Sequence, residues 1–316
     1  MAIGSGLGSQ LGFGLETSYA TAAPITKFLP MLNESLTQEI ERIQSEGIIP
    51  NNTTWRSDQW APGNKTVGGD VGVELYDHGL GVLFRAMMGN SVITGVGPYV
   101  HTYAPGDLAN DSLTFQVGRP QSNGTVQPFT YKGCQVASWQ MACAEGQIAT
   151  LGLTLAGREE DTAVALATPV IPTALKPMSY NHGTISIGGA AVANIKSANI
   201  SGDNGLDIER RFFNAAGLIA QPIQTALRNY SSTLESEFLD LTSYNRFLNG
   251  TEAAFSLLFT LGANTVEFKG NIRTDGATPT VGGKEILSQT VETLFMGPTN
   301  DASTFSIVAT NQDATD

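Results

Sequence analysis

The residues that could do chemistry are few and scattered. The three histidines, His78, His101 and His182, lie far apart in turn-like contexts, so a metal site or catalytic triad would need the fold to gather them. Asp70 with Glu74, or Glu235 with Glu237, could be paired carboxylates for acid–base work. Alternatively they share one face of a strand, as acids at even spacing do. The glycine-rich start carries no phosphate-loop lysine and no dinucleotide spacing, and no Gly-x-Ser-x-Gly elbow occurs in the chain. Cys134 and Cys143 read as reduced thiols in neighbouring strands rather than as a disulfide framework. The pattern points to no catalytic residue, no metal and no cofactor, and so to a protein that is not an enzyme.

The elements that would position such groups are mostly strands. The 316 residues are 41% hydrophobic and 15% charged, enough for one large domain or two of ordinary size. The 35 glycines, with short Thr-, Val-, Ser- and Asn-rich stretches between glycine and proline, favour many short strands over long helices. A net charge of −12 disfavours nonspecific attraction to phosphate or anionic lipid. No basic-then-apolar leader and no run of about 18 apolar residues is visible, so synthesis in a cytoplasm is expected.

Self-similarity is the most informative feature. Residues 38–42 resemble 206–210, and 71–77 resemble 234–240. A helical pattern follows each, over 79–88 and 242–248. Residues 129–133 then echo 266–270, and the long alternating run 147–155 echoes 286–295. This order predicts two tandem β-sandwich or β-barrel units with short flanking helices, over 28–162 and 178–316, with a linker at 163–177. Residues 1–27 read as an extended arm, and the polar stretch 95–110, without counterpart in the second half, as an outward loop.

Alternation sorts the charges. Leu36 and Ile40 fall on one face with Glu39 and Glu41 on the other, and Leu206 and Ile208 oppose Asp207 and Glu209. Val71, Val73 and Leu75 oppose Glu74, while Leu234 and Phe238 oppose Glu235 and Glu237. The polar segment 48–66 holds Trp55 and Trp60, which are expensive to leave in water. It reads either as a contact with a partner or as a loop folded over its own domain.

The residues Phe28-Leu29-Pro30-Met31, Gly68-Gly69-Asp70-Val71 and Glu74-Leu75-Tyr76-Asp77 resemble the major tail tube proteins of long-tailed, siphovirus-type bacteriophages. In the second half the likeness rests on residues 244–252, Phe268-Lys269-Gly270-Asn271-Ile272-Arg273 and Thr280-Val281-Gly282-Gly283. The resemblance implies a virion structural protein whose subunits join sheets into an inner β-barrel ring, with rings stacked into a hollow tail tube. It implies DNA passing through the lumen without specific binding, and no membrane. It further implies assembly around a tape measure protein between a tail tip and a tail terminator, after a soluble stage in the host cytoplasm. Glu39, Glu41, Glu74, Asp207, Glu209, Glu235 and Glu237 would then line the channel, or else form an ordinary solvated face. Trp55 and Trp60, with Leu11 and Phe13 of the arm, would make contacts between subunits and between rings. A tube fold present twice per chain closes a six-fold lumen with three chains, and a fold used once needs six. The competing readings are a tail terminator or related tube component, and a surface- or carbohydrate-binding β-sandwich.

Overall fold

The computed structural model describes residues 4–213, 216–276, 278–279, 281, 284, 286–297 and 303–316. Strands dominate, and 19 of them join in one hydrogen-bonded network. The first half runs β1 (Gln10–Leu15), β2 (Lys27–Leu29), β3 (Met31–Glu34), β4 (Thr37–Gln44) and β5 (Trp60–Glu74). After it come α1 (Gly81–Met88), β6 (Gly89–Thr94), β7 (Tyr99–Pro105), β8 (Leu113–Pro120), β9 (Val126–Ala144), β10 (Thr150–Gly157) and β11 (Glu159–Asp161). The second half holds β12 (Gly183–Ile187), β13 (Ala190–Ala191), β14 (Ile195–Asp203), β15 (Leu206–Asp207), β16 (Ile223–Gln224) and β17 (Asn229–Glu237). It ends with α2 (Thr242–Asn249), β18 (Glu252–Leu261), β19 (Asn264–Gly276), β20 (Ser288–Phe295) and β21 (Phe305–Asn311).

The two halves repeat the same pairings. In the first, β3 and β4 run antiparallel to β5 as one long ribbon, with Glu34 opposite Val71, Thr37 opposite Gly68 and Glu39 opposite Thr66. In the second, β14 and β17 pair Ala198 with Leu234, Ser201 with Ser231 and Asp203 with Asn229. Strand β10 then lies beside β5, with Leu153 opposite Val71, as β20 lies beside β17, with Val291 opposite Leu234. Each ribbon is followed by a short helix that a left-handed glycine ends, Gly89 at φ 85° and Gly250 at φ 59°. The likeness of 71–77 to 234–240 is thus a correspondence of hydrogen-bonded position as well as of letters.

The likeness of 38–42 to 206–210 is not. The pairings put Glu39 in the place of Asp203, while Leu206 and Asp207 form a separate small ladder with Gln224 and Ile223 farther out on the ribbon. Ile40 also departs from expectation. Leu36 is fully buried, but the ladder is irregular between Ile40 and Arg42, and Ile40 is 45% exposed where the ribbon leaves the core.

The halves are stitched edge to edge. Strand β9 pairs with β14, placing Ser138 opposite Asp203 and Cys143 opposite Ala198. The result is a continuous strand order β4–β5–β10–β9–β14–β17–β20–β19. Gly202 permits this junction, because a Cβ there would meet the Trp139 indole at 2.4 Å. A second layer covers the inner face, with β1, β2 and β8 over the first half and β12, β18 and β21 in the second. One contiguous apolar core runs between the layers, from Leu11 and Phe13 to Phe268 and Phe305.

Three expectations are corrected here. Residues 10–15 are a core strand, not an arm, with Leu11 1% and Phe13 0% exposed, so these two side chains are spent inside their own chain. Residues 95–110 are not an outward loop, since β7 pairs with β6 on one side and β21 on the other, and Tyr103 and His101 are buried. Cys134 and Cys143 lie on one strand, β9, both buried and unbonded, and burial pushes the Cys134 thiol well above its usual range.

Candidate functional site

The face of the continuous sheet that turns away from the core is polar. Val71, Val73, Leu151, Leu153, Met141, Ile200 and Leu234 point inward and are buried. The alternate positions carry Asp70, Glu74, Thr150, Thr154, Gln140, Ser201, Thr233 and Glu235, half-buried or exposed. Period-two alternation thus produces a surface of hydroxyl, amide, glycine and carboxylate groups. Bonds between neighbouring strands fix it: the Thr154 hydroxyl donates to Asp70 Oδ1 at 2.8 Å, and Ser201 and Ser231 share a hydrogen bond at 2.9 Å.

Its charge is predominantly negative. Glu39, Asp70, Glu74, Asp203, Glu235, Glu237 and Glu292 lie on strands of this sheet. Among the described residues the cations of this face are paired: Lys196 Nζ lies 3.1 Å from Glu237, Lys269 Nζ 3.2 Å from Glu267, and Arg273 Nε 2.7 Å from Asp275. The hydrogen bond and charge of Glu237 hold the Lys196 ammonium above its usual range. Asp203 and Glu292 are carboxylates that sequence reading missed. Strand β14, Ile195–Asp203, is so rich in Ser, Asn and Gly that alternation barely marks its register.

Of the acidic residues expected together, Glu39, Glu74, Glu235 and Glu237 do lie on the face. Glu41 and Glu209 meet elsewhere, at the base of the first ribbon's projecting end. There Glu39, Ile40, Glu41 and Glu209 line one pocket with Asn64, Thr66 and Arg211. The Arg211 guanidinium donates to Glu209 Oε2 at 2.6 Å and to the Thr66 hydroxyl at 2.9 Å, and Glu41 Oε2 accepts from the Asn64 N–H at 3.1 Å. Asp207 is half-buried on β15 and accepts from the Glu209 N–H at 3.0 Å.

Beyond Ile40 the first ribbon stands clear of the core. Trp55 is 71% exposed and Trp60 47%, and Ile43 and Ile48 are exposed beside them. The Arg42 guanidinium lies 5.9 Å from the centre of the Trp60 ring. Among the described residues, none buries Trp55, Trp60, Ile43 or Ile48.

Each histidine is held by a different partner. His78 bonds Asp77 at 2.8 Å and His182 accepts from the Ser179 N–H at 3.0 Å, both locally, while His101 bonds the distant Asp313 carbonyl at 2.9 Å and so ties β7 to the C-terminal segment. Among the described residues no group of three or more His, Cys, Asp or Glu side chains could hold a metal ion.

The site is thus a polar, acidic sheet face on a two-layered β protein, with an exposed apolar tip on the first ribbon. Residues 6–293 match the phage tail tube protein family, and the chain belongs to that family. No curated protein matches it. As a member of that family it is a structural component of a phage tail tube.

Proposed function

We propose that this chain is the repeating subunit of a siphovirus-type tail tube, forming stacked rings whose lumen carries DNA into the host. The observation that carries the reading is the strand order β4–β5–β10–β9–β14–β17–β20–β19, in which two equivalent quartets lie side by side. Three copies joined in the same way make a closed wall with pseudo-six-fold symmetry. Closure pairs the exposed edges, and the polar face becomes the lumen lining. Glu39, Glu74, Asp203, Glu235 and Glu237 then repel phosphate at short range, within a Debye length of roughly 8 Å in physiological salt. DNA slides past a wall whose cations Lys196, Lys269 and Arg273 are held by carboxylates.

The ribbon tip with Trp55 and Trp60 serves contacts between neighbouring copies and successive rings. The tape measure protein occupies the lumen during assembly, and tail tip and terminator proteins close the two ends. Electron microscopy of the concentrated protein tests the proposal: uniform hollow rods are expected, whereas monomers at every concentration, or single rings that never stack, contradict it.

A further inference from the structure

The junction between the two halves contains more than paired strands. The second half also seats on α1. Asn204 donates to the Met87 carbonyl at 3.1 Å, and Arg228 donates to the Met88 carbonyl at 2.9 Å. The helix C-terminus thus receives a cation, which its dipole favours. Phe268 of β19 meets Phe84 edge-on at 6.3 Å. With the β6–β7 hairpin adding Tyr103 against Phe84, α1 and the preceding Leu80 are buried.

Helix α2 holds the same place in the second half and has no such cover. None of its residues is buried, and Leu241 and Leu248, which stand where α1 has Leu80 and Met87, are 54% and 59% exposed. The missing hairpin explains part of this, because Gly250 leads almost directly into β18. It does not explain the helix end, where among the described residues the Leu248 and Asn249 carbonyls accept nothing from outside the helix.

The groups that would complete the site lie at the other end of the same chain. Since Glu39 corresponds to Asp203 and Thr66 to Asn229, the next residues along the ribbon equate Ile40 with Asn204 and Lys65 with Arg228. Ile40 is an exposed apolar side chain, and the Lys65 ammonium has no ion-pair partner among the described residues. A cation without an ion-pair partner among the described residues and a partly exposed apolar side chain thus stand at one end of the strand order, and a helix C-terminus with an exposed leucine at the other.

We propose that α2 is the docking surface for the ribbon of a second copy of this chain, with Lys65 capping the α2 carbonyls and Ile40 covering Leu248. The occupant follows from the junction the molecule already contains, repeated between chains; the inference rests on the ring reading and specifies its seam. The site is built for one neighbour in one orientation, so the seam has a polarity that runs the same way round the ring.

The test places one cysteine on each side of the seam, Ile40→Cys with Leu248→Cys, and treats assembled protein with a short bismaleimide; the native thiols are buried. The double variant is expected to give a covalent ladder of chains on a denaturing gel, while each single variant stays a single chain. A second variant, Leu248→Asp, is expected to melt like the parent chain but to lose roughly tenfold or more of its ring yield. Normal tubes with no ladder, or full ring yield from Leu248→Asp, overturn the seam and leave the ring reading standing. A parent chain that forms no ring or tube under any condition overturns the ring reading, and the seam with it.

Discussion

Helices α1 and α2 follow equivalent ribbons and end on equivalent glycines, yet one is sealed in the core and the other lies open. Their sequences record the difference. GVLFRAMM is apolar nearly all round, as a helix covered on every side must be, whereas TSYNRFLN keeps a polar face and fewer apolar positions. A repeated unit is therefore not a repeated environment. The first copy's helix is covered by residues of the same chain, whereas none of the second copy's helical residues is buried.

The largest expected effect breaks this comparison in the isolated chain. Phe84→Ala should cost about 3–5 kcal/mol in urea denaturation, because the ring is buried between Tyr103 and Phe268. Phe247→Ala on α2, half-buried, should cost about 1 kcal/mol or less. Similar losses would mean that α2 is already covered before assembly.

A smaller effect separates the two ribbons. Gly202→Val forces a side chain into the Trp139 indole and should cost about 1–3 kcal/mol. Gln38→Val, at the equivalent place on the first ribbon, should change unassembled stability by no more than about 0.5 kcal/mol. If Gln38→Val proves as costly as Gly202→Val, Gln38 is packed within its own chain as tightly as Gly202 is.

The smallest effects on stability fall where function should suffer most. Trp55→Ala should leave the unfolding midpoint of the free chain unchanged while lowering the yield of tubes, since the ring is 71% exposed. Lys at Glu39, Asp203 and Glu235 should cost each about 0.5 kcal/mol or less. In assembled virions the triple change should slow DNA release, most strongly at low salt, because cationic walls hold phosphate that carboxylates repel. Release at the parental rate would place this face outside the channel.

Much of this was legible in the sequence where side chains alternate in size. Val71 to Leu75 and Leu234 to Phe238 announce their faces, and with them the correspondence of β5 to β17. Both helices were legible too, from apolar spacing and a terminal glycine. Register is hidden in β14, where Ser, Asn and Gly fill the polar positions and Ile200 alone is a large apolar residue in the middle of the strand, so the letters match Glu39 to Asp207 while the pairings match it to Asp203. Strand β1 was lost because its glycines suggested flexibility. They answer a packing demand: a Cβ at Gly12 would meet Ile25 at 2.4 Å, and one at Gly14 the Pro24 carbonyl oxygen at 2.2 Å. The hairpin β6–β7 was hidden by its glycine- and proline-rich turn and by the need for a distant partner, β21. Thr280, Gly282 and Gly283 of the final motif lie outside the described residues.

The central claim is that one chain supplies two adjacent segments of the channel wall. The symmetry of a reconstructed tube, or the mass of an isolated ring, tests it directly. Three chains per ring, with six-fold regularity confined to the inner wall and three-fold outside, is the result the account predicts; six whole chains per ring would contradict it.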